Sequence, residues 1–578
     1  MRPPRCSLAV ALLLAGTATF ASAQARLPTG TPAFLPSTDV KPAFSMGGAY
    51  GTSTEIGEIV PSQPMAGEPV RVHVGVSACL PPFHICVGIS TPIVVSDTSD
   101  PSTTCTTGAF SGDCTLEFHS SGTHTLTAVY PGSDSMEPST GYRTLTVGPR
   151  VLTLADGVTG PFFDTYLLLA NPGATSEPVT LSLSRVDAVA TETSTVVPPH
   201  ARITLRADDL PALTDTAFTA TVTVPSGHPL FVERATYFAT DYRAGDAASA
   251  RRPTYRAFFA EGCQNSVFDT YLLIGNPNPD IAYVLVSFLV DGGEAVHKTY
   301  AAVPGGRLAI ATARIPELAG RSFGIDVNSS VRVAVERSMY VAEGYLGGHS
   351  ESGVSPSTTW LFAEGVTGSF FDTLLLLANP AYNERAAQVT VTYHPGSGRI
   401  VSTRHLIPEN GRVTVDVERE DPVLADTTLW VEIASDAPIV AERAMYWASD
   451  GGPRWTEGHV SAGATAAAPR WGFAEGIVGG GLEFKTFLLV ANPGPSPVTV
   501  DVEYLPTGIG PITRVHTVPA GARLTVDVEA DVPALRDVPF GATVTARSRG
   551  LIVAERSIYW TRHGPVFLGG TNVGGTPF

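Results

Sequence analysis

Apolar and polar positions alternate along much of this chain. In "EPVRVHVGVSA", Val70, Val72, Val74 and Val76 fall on one side of an extended backbone, with polar neighbours on the other. That is the period of a half-buried strand. "TPIVVSD", "CTLEFHSSGTHTLTAVY" and "YRTLTV" continue the pattern to about residue 148. Further on, "DTLLLLA", "AQVTVTYH", "RIVSTRHLI", "GRVTVDVE", "TTLWVEIA" and "APIVAERAMYWA" succeed one another between Gly, Pro, Asn and Asp, the punctuation of tight turns. No run sustains a helical stripe, so the chain is predicted to be all-β.

The second pattern is a repeat. Residues 157–172 read "GVTGPFFDTYLLLANP" and residues 365–380 read "GVTGSFFDTLLLLANP", identical at fourteen of sixteen positions. Asn-Pro recurs at Asn171, Asn276, Asn379 and Asn492, and Glu-Arg at Glu233, Glu336, Glu442 and Glu555; the Asn-to-Glu separations are 62, 60, 63 and 63 residues. A period of about 105 residues is that of a whole domain, not of a solenoid unit. With "WLFAEG" at its head, each unit predicts about seven short strands, the count of an Ig-like or fibronectin-like sandwich. The expected organisation is a signal segment at 1–23, a flexible lead at 24–53, a β-sandwich at 54–148, and four related sandwiches at 149–255, 256–359, 360–470 and 471–578. Connections such as "SGVSPSTT" and "SAGATAAAP" predict beads with limited bending, about 150–200 Å long if extended.

Residues 54–148 carry a resemblance. "GTHTLTAVYPGS", from Gly122 to Ser133, and the pair Cys105 and Cys114 resemble the bacterial Ig-like repeat domain. The resemblance implies a spacer or adhesive β-sandwich without catalytic residues. The four later units, with their "FAEG", "LLLANP" and "AERAMYW" signatures, are similar to uncharacterised tandem sandwich repeats of exported bacterial proteins.

Composition and termini narrow the classes. Arg2 and Arg5, the apolar run from Leu8 to Gly16, and Ala21 and Ala23 follow the order of a secretory signal, and that apolar run is too short for a permanent span. Export predicts an extracellular, cell-surface or periplasmic chain. Removing Arg2 and Arg5 leaves 35 basic against 54 acidic residues, which argues against nucleic acid and an anionic membrane surface as partners. Cys79, Cys86, Cys105 and Cys114 cluster within 36 residues. In an exported chain that spacing favours disulfides over zinc. Three pairings are open, and the local ones, Cys79 with Cys86 and Cys105 with Cys114, are preferred. Cys263 is left over; it either fills the apolar slot of Val158, Val366 and Ile477 or joins two chains as a dimer.

The repeated charges raise the question of chemistry. In "PIVAERAMYW", Arg443 shares a strand face with Ile439, Ala441 and Met445, and an unpaired guanidinium there would be costly. Each unit opens with an acid, so structural ion pairs are expected between Asp156 and Arg234, Glu261 and Arg337, Glu364 and Arg443, and Glu475 and Arg556. A second arginine, at Arg202, Arg307, Arg412 and Arg523, is available to the strand glutamate. No single-copy motif for a nucleophile, phosphate loop, metal or other cofactor is present. "GGHSESG" at 347–353 reads as a Gly-rich connection, and His349 and His459 as solvated loop residues. The expected function is non-enzymatic, structural or adhesive, with a glycan or another surface protein as partner. The alternative is a carbohydrate-binding protein displaying Trp360, Trp455, Trp471 or Trp560, although Trp360 and Trp471 begin units and are expected rather to plug domain contacts.

Overall fold

The computed structural model describes residues 51–578 apart from 81–84, 89–90, 109–111, 135, 186–189, 240–241, 342–343, 346, 450–454, 549 and 563–565. The expected signal segment and most of the expected lead lie outside the described residues. The chain is all-β. Its first sandwich pairs Thr52–Val60, Pro69–Leu80, Ile85–Gly88 and Asp113–Glu117 in one sheet, and Val94–Asp97, Thr104–Thr106, Gly122–Tyr130 and Ser139–Val147 in the other. Val70, Val72, Val74 and Val76 point into its core while Arg71 and His73 face water. Cys105 and Cys114 are joined by a disulfide. Cys79 lies opposite Cys86 in the strand register; their side chains lie outside what is described.

Among the described residues the first repeat has eight strands in two sheets, one more than its sequence suggests, and the others follow the same plan with small variations. In the first repeat, one sheet runs Thr191–Val197, Glu177–Arg185, Ala217–Val224, Arg150–Val158. The other runs Ala201–Arg206, Phe163–Asn171, Phe231–Phe238, Ala244–Ser249. In the second and third repeats a single long strand, Arg321–Val341 or Leu429–Trp447, passes through both sheets. The additional element is an inner strand: Ala244–Ser249, Gly348–Ser352, Glu457–Ala462 and Gly569–Gly574. "GGHSESG" is therefore part of a strand and not a loop, and almost every residue of the four inner strands is buried.

The recurring Asn-Pro is a clamp inside each sandwich. Asn171 donates from Nδ2 to the carbonyls of Thr175, Val197 and Pro198 at 2.7, 3.1 and 3.1 Å. Asn276, Asn379 and Asn492 repeat the arrangement. A fully buried amide thus ties the Asn-Pro strand to the opposite sheet and satisfies turn carbonyls that burial would leave orphaned.

The repeats do not form a row of beads. The opening strand of each packs on the Glu-Arg strand of the next: Arg150–Val158 on Arg321–Val341, Thr254–Phe259 on Leu429–Trp447, Ser357–Phe362 on Val553–Trp560, and Arg470–Phe473 on Phe231–Phe238. The last contact joins the fourth repeat back to the first, so the four sandwiches close into a ring. Their inner strands meet in the same cyclic order around its axis. The cause lies in the leucine runs. Leu375 and Leu377 fill the third sandwich, whereas Leu374, Leu376 and Ala378 fill the seam against the second repeat. Leu168 and Ala170 do the same between the first and fourth repeats. A strand apolar on both faces must be covered on both faces. One face is covered by its own sandwich and the other by its neighbour.

Candidate binding clefts at the repeat seams

Each strand arginine is 0–1 % exposed and lies near the acid that opens its own repeat. The separations are 3.9 Å for Asp156 and Arg234, 3.3 Å for Glu261 and Arg337, 3.2 Å for Glu364 and Arg443, and 2.5 Å for Glu475 and Arg556. A second carboxylate comes from the adjacent repeat. Glu336 reaches Arg234 at 3.1 Å, Glu442 reaches Arg337 at 2.9 Å, Glu555 reaches Arg443 at 2.6 Å, and Glu233 reaches Arg556 at 3.1 Å.

The strand glutamate also accepts from the opening segment it faces, within or just after its strand, through the amides of Ala155 (2.6 Å), Glu261 (2.9 Å), Ala363 (2.6 Å) and Ala474 (3.0 Å). The second arginine crosses the same seam, where its own strand glutamate had been expected as partner. Arg307, Arg412, Arg523 and Arg202 donate to the carbonyls of Ala155, Ala260, Gly365 and Gly476 at 3.0, 3.0, 2.9 and 3.4 Å. Neighbouring residues on one strand point to opposite faces. Glu-Arg therefore hands its glutamate to the preceding repeat and its arginine to the following one, a head-to-tail contact that four copies close.

Burial dominates the electrostatics. It pushes Glu336 and Glu442 up to about 7, against the pull of Arg234 and Arg337. Burial alone would lower Arg443, but Glu555 and Glu364 outweigh it and hold the guanidinium charged.

Aromatic rings complete each seam. Tyr237, Tyr446 and Tyr559 donate to Glu475, Glu261 and Glu364 at 3.2, 2.7 and 3.1 Å. His349 and His459, expected in solvent, are buried on the inner strands; their Nε2 atoms lie 3.1 and 2.9 Å from the hydroxyls of Tyr446 and Tyr559. Burial holds His349 down at about 4. Two seams open into clefts. A cleft of 290 Å³ between the fourth and first repeats is lined by Tyr166, Arg202, Tyr237, Tyr242, Glu475 and Phe484, among others. One of 500 Å³ between the first and second is lined by Asp156, Phe162, Phe163, Tyr271, Arg307, Tyr340 and Tyr345, among others. A further ring lies close to each seam tyrosine: Tyr345 at 5.2 Å from Tyr340, Trp560 at 5.5 Å from Tyr237, Trp455 at 5.5 Å from Tyr446, and Phe567 stacked at 4.7 Å on Tyr559.

The tryptophans do not form the expected display. Trp360, Trp471 and Trp560 are buried, with their indole N–H groups donating to the carbonyls of Ile439, Ile552 and Tyr242. Trp455 is half-buried and donates to Asp372 at 2.5 Å. Cys263 is 4 % exposed and is disulfide-bonded, not a free thiol, so the dimer through Cys263 is withdrawn. Among the described residues no group of three or more His, Cys, Asp and Glu side chains could hold a metal ion, and no helix is long and apolar enough to cross a membrane.

No family model matches the chain, and no curated protein matches it. Among solved structures it is similar to Thermotoga maritima 1070, at 13 % identity over 19 % of this chain and 96 % of that one, with a TM-score of 0.18. A tetra-tandem repeat from the extending region of a large adhesion protein is 12 % identical over 72 % of this chain and all of the other, with a TM-score of 0.13. A structure of carbohydrate-binding modules of the β-sandwich superfamily is 11 % identical over 52 % of this chain and 98 % of that one, at 0.14.

Proposed function

We propose that the chain is a non-catalytic, exported structural or adhesive element, in which a closed ring of four sandwiches carries an Ig-like module. The observation that supports this reading is the use made of the repeated charges. Asp156, Glu261, Glu364 and Glu475 are each buried in a seam and paired with arginine. A carboxylate fixed in that way is poorly placed to exchange protons with a substrate, and the arrangement occurs four times because it builds the ring. The Ig-like module is tied to the ring at two points. Glu68 pairs with Arg332 of the second repeat at 2.6 Å, and Ser121 donates from its amide and hydroxyl to Ser226 and Pro225 of the first at 2.7 and 2.6 Å.

The signal-like N-terminus and the cysteine bridge support residence outside the cytoplasm, and a glycan or another surface protein is the proposed partner. The test applies the mature chain to a glycan array, to intact cells, and to panels of ester, glycoside and peptide substrates. Retention without turnover is expected. Turnover that disappears in Glu364→Gln while the β-type circular dichroism spectrum stays intact would overturn the reading.

A further inference from the structure

We propose that the cleft between the first and second repeats is an aromatic cage for a quaternary ammonium group. Its walls are Phe162 and Phe163 from one repeat and Tyr271, Tyr340 and Tyr345 from the other. Successive rings meet at steep angles: 74° for Phe162 and Phe163, 76° for Phe162 and Tyr345, 59° for Tyr345 and Tyr340, and 66° for Tyr340 and Tyr271. Rings so arranged form the sides of a box and not a stack. Their faces carry the negative lobe of the aromatic quadrupole, which attracts a cation.

Two further features fix the ligand class. Five of the polar side chains at the cleft are already engaged with one another. The hydroxyls of Tyr271 and Tyr345 lie 2.9 Å apart, Arg307 donates to Asp156 at 2.9 Å, and Ser338 donates to the other oxygen of Asp156 at 2.7 Å. A sugar would have to break these bonds to place its hydroxyls, whereas a quaternary ammonium has no donor to satisfy. The charge is also unbalanced. Asp156, Glu336 and Asp246 surround two guanidiniums, Arg234 and Arg307. At the position of Asp246 the other repeats carry His349, His459 and Thr571, so a carboxylate stands at that register in this repeat alone. The opening acid here is Asp156 where the other repeats have glutamate. Being one methylene shorter, it is held by Arg307 and Ser338, and the cleft is 500 Å³ against 290 Å³ at the fourth seam, within the range of small-ligand sites.

This inference rests on the non-catalytic reading only in treating the cleft as a place of binding. Calorimetry on the mature chain at about pH 8, above the value near 7 to which burial pushes Glu336, compares four probes: choline, tetramethylammonium, 3,3-dimethyl-1-butanol as the uncharged isostere of choline, and a methyl glucoside. Both cations should bind, and the isostere should bind at least about tenfold more weakly. Tyr345→Leu and Phe162→Leu, at half-buried rim positions, should each weaken choline by about tenfold with the melting profile unchanged. Equal affinity for choline and its isostere, tighter binding of the glucoside, no binding of choline at millimolar concentration, or indifference to both substitutions would overturn the cage. Should one substitution disturb folding, the other and the isostere comparison still decide. Turnover in a substrate panel would sink the non-catalytic reading and leave these affinities standing.

Discussion

Arg443→Met probes the seam between the third and fourth repeats at its most buried point. The guanidinium lies 3.2 Å from Glu364 and 2.6 Å from Glu555, and donates to the Glu364 carbonyl and the Ser461 hydroxyl, each at 2.8 Å. Methionine keeps much of the apolar stem but leaves two carboxylates facing each other without that cation. Removing one partner of a buried pair costs about 3–5 kcal/mol, against under ~1 kcal/mol for an exposed one. The two additional hydrogen bonds, each worth about 1 kcal/mol, place the expected loss at the upper end. A melt of a multidomain chain is not one two-state transition. The readout is therefore hydrogen exchange at the Ala363 amide, which donates to Glu555 at 2.6 Å, so that opening of this seam is measured locally. Combining Arg443→Met with Glu364→Gln and Glu555→Gln should lose less than the sum of the single losses. A single-variant loss under ~1 kcal/mol, or strictly additive losses, would refute the reasoning.

His349 supplies a pH test. Its folded pKa of about 4 lies below the ordinary 6.5, so its contribution is complete above 6.5 and fades as pH falls toward 4, by roughly 3 kcal/mol for a shift of this size. Glu442 runs the other way: raised from 4.5 to about 7, it contributes below 4.5 and loses that contribution as pH rises through 7. The informative quantity is the difference in stability between the parent and His349→Gln, which should shrink on acidification; a pH-independent difference contradicts a buried neutral imidazole. Reducing the bridge between Cys105 and Cys114, whose sequence separation is 9, should lower the melting point of the first sandwich module by a loss of about 2.5 kcal/mol in the chain-entropy model. That module should stay folded on its own core, and collapse of its β spectrum on reduction would contradict this. Asn379→Ala should cost about 2–3 kcal/mol by orphaning the carbonyls it serves, measured by hydrogen exchange within the third repeat; a change within ~0.5 kcal/mol would show the clamp to be inert.

Much of the sandwich was legible because strand periodicity is local. Val70, Val72, Val74 and Val76 announce a half-buried strand by their spacing alone. Arg443 announces a partner because a guanidinium in an apolar row is expensive. The ring was written less plainly. Leu374 to Leu377 are apolar at both parities, which is the mark of a strand covered on both sides, yet nothing local says what covers the second face. The partner of Glu442 is Arg337, 105 residues earlier, and such a separation leaves no trace in spacing within one unit. The inner strands were hidden by composition. Gly348 to Ser352 contains glycine, serine, histidine and glutamate, which read as a loop until the other three inner strands are placed around them. The cage at Phe162 and Tyr345 is assembled from two repeats, so neither repeat shows it alone.

The central claim is that the fourth repeat returns to the first, through Arg556 with Glu233 at 3.1 Å, Ala474 with Glu233 at 3.0 Å, and Trp560 with Tyr242 at 3.1 Å. Small-angle X-ray scattering of residues 24–578 in solution tests it most directly. A closed ring with its attached module predicts a radius of gyration of about 25 Å, whereas five sandwiches in a row, about 150–200 Å long, would give about 45–55 Å and contradict closure.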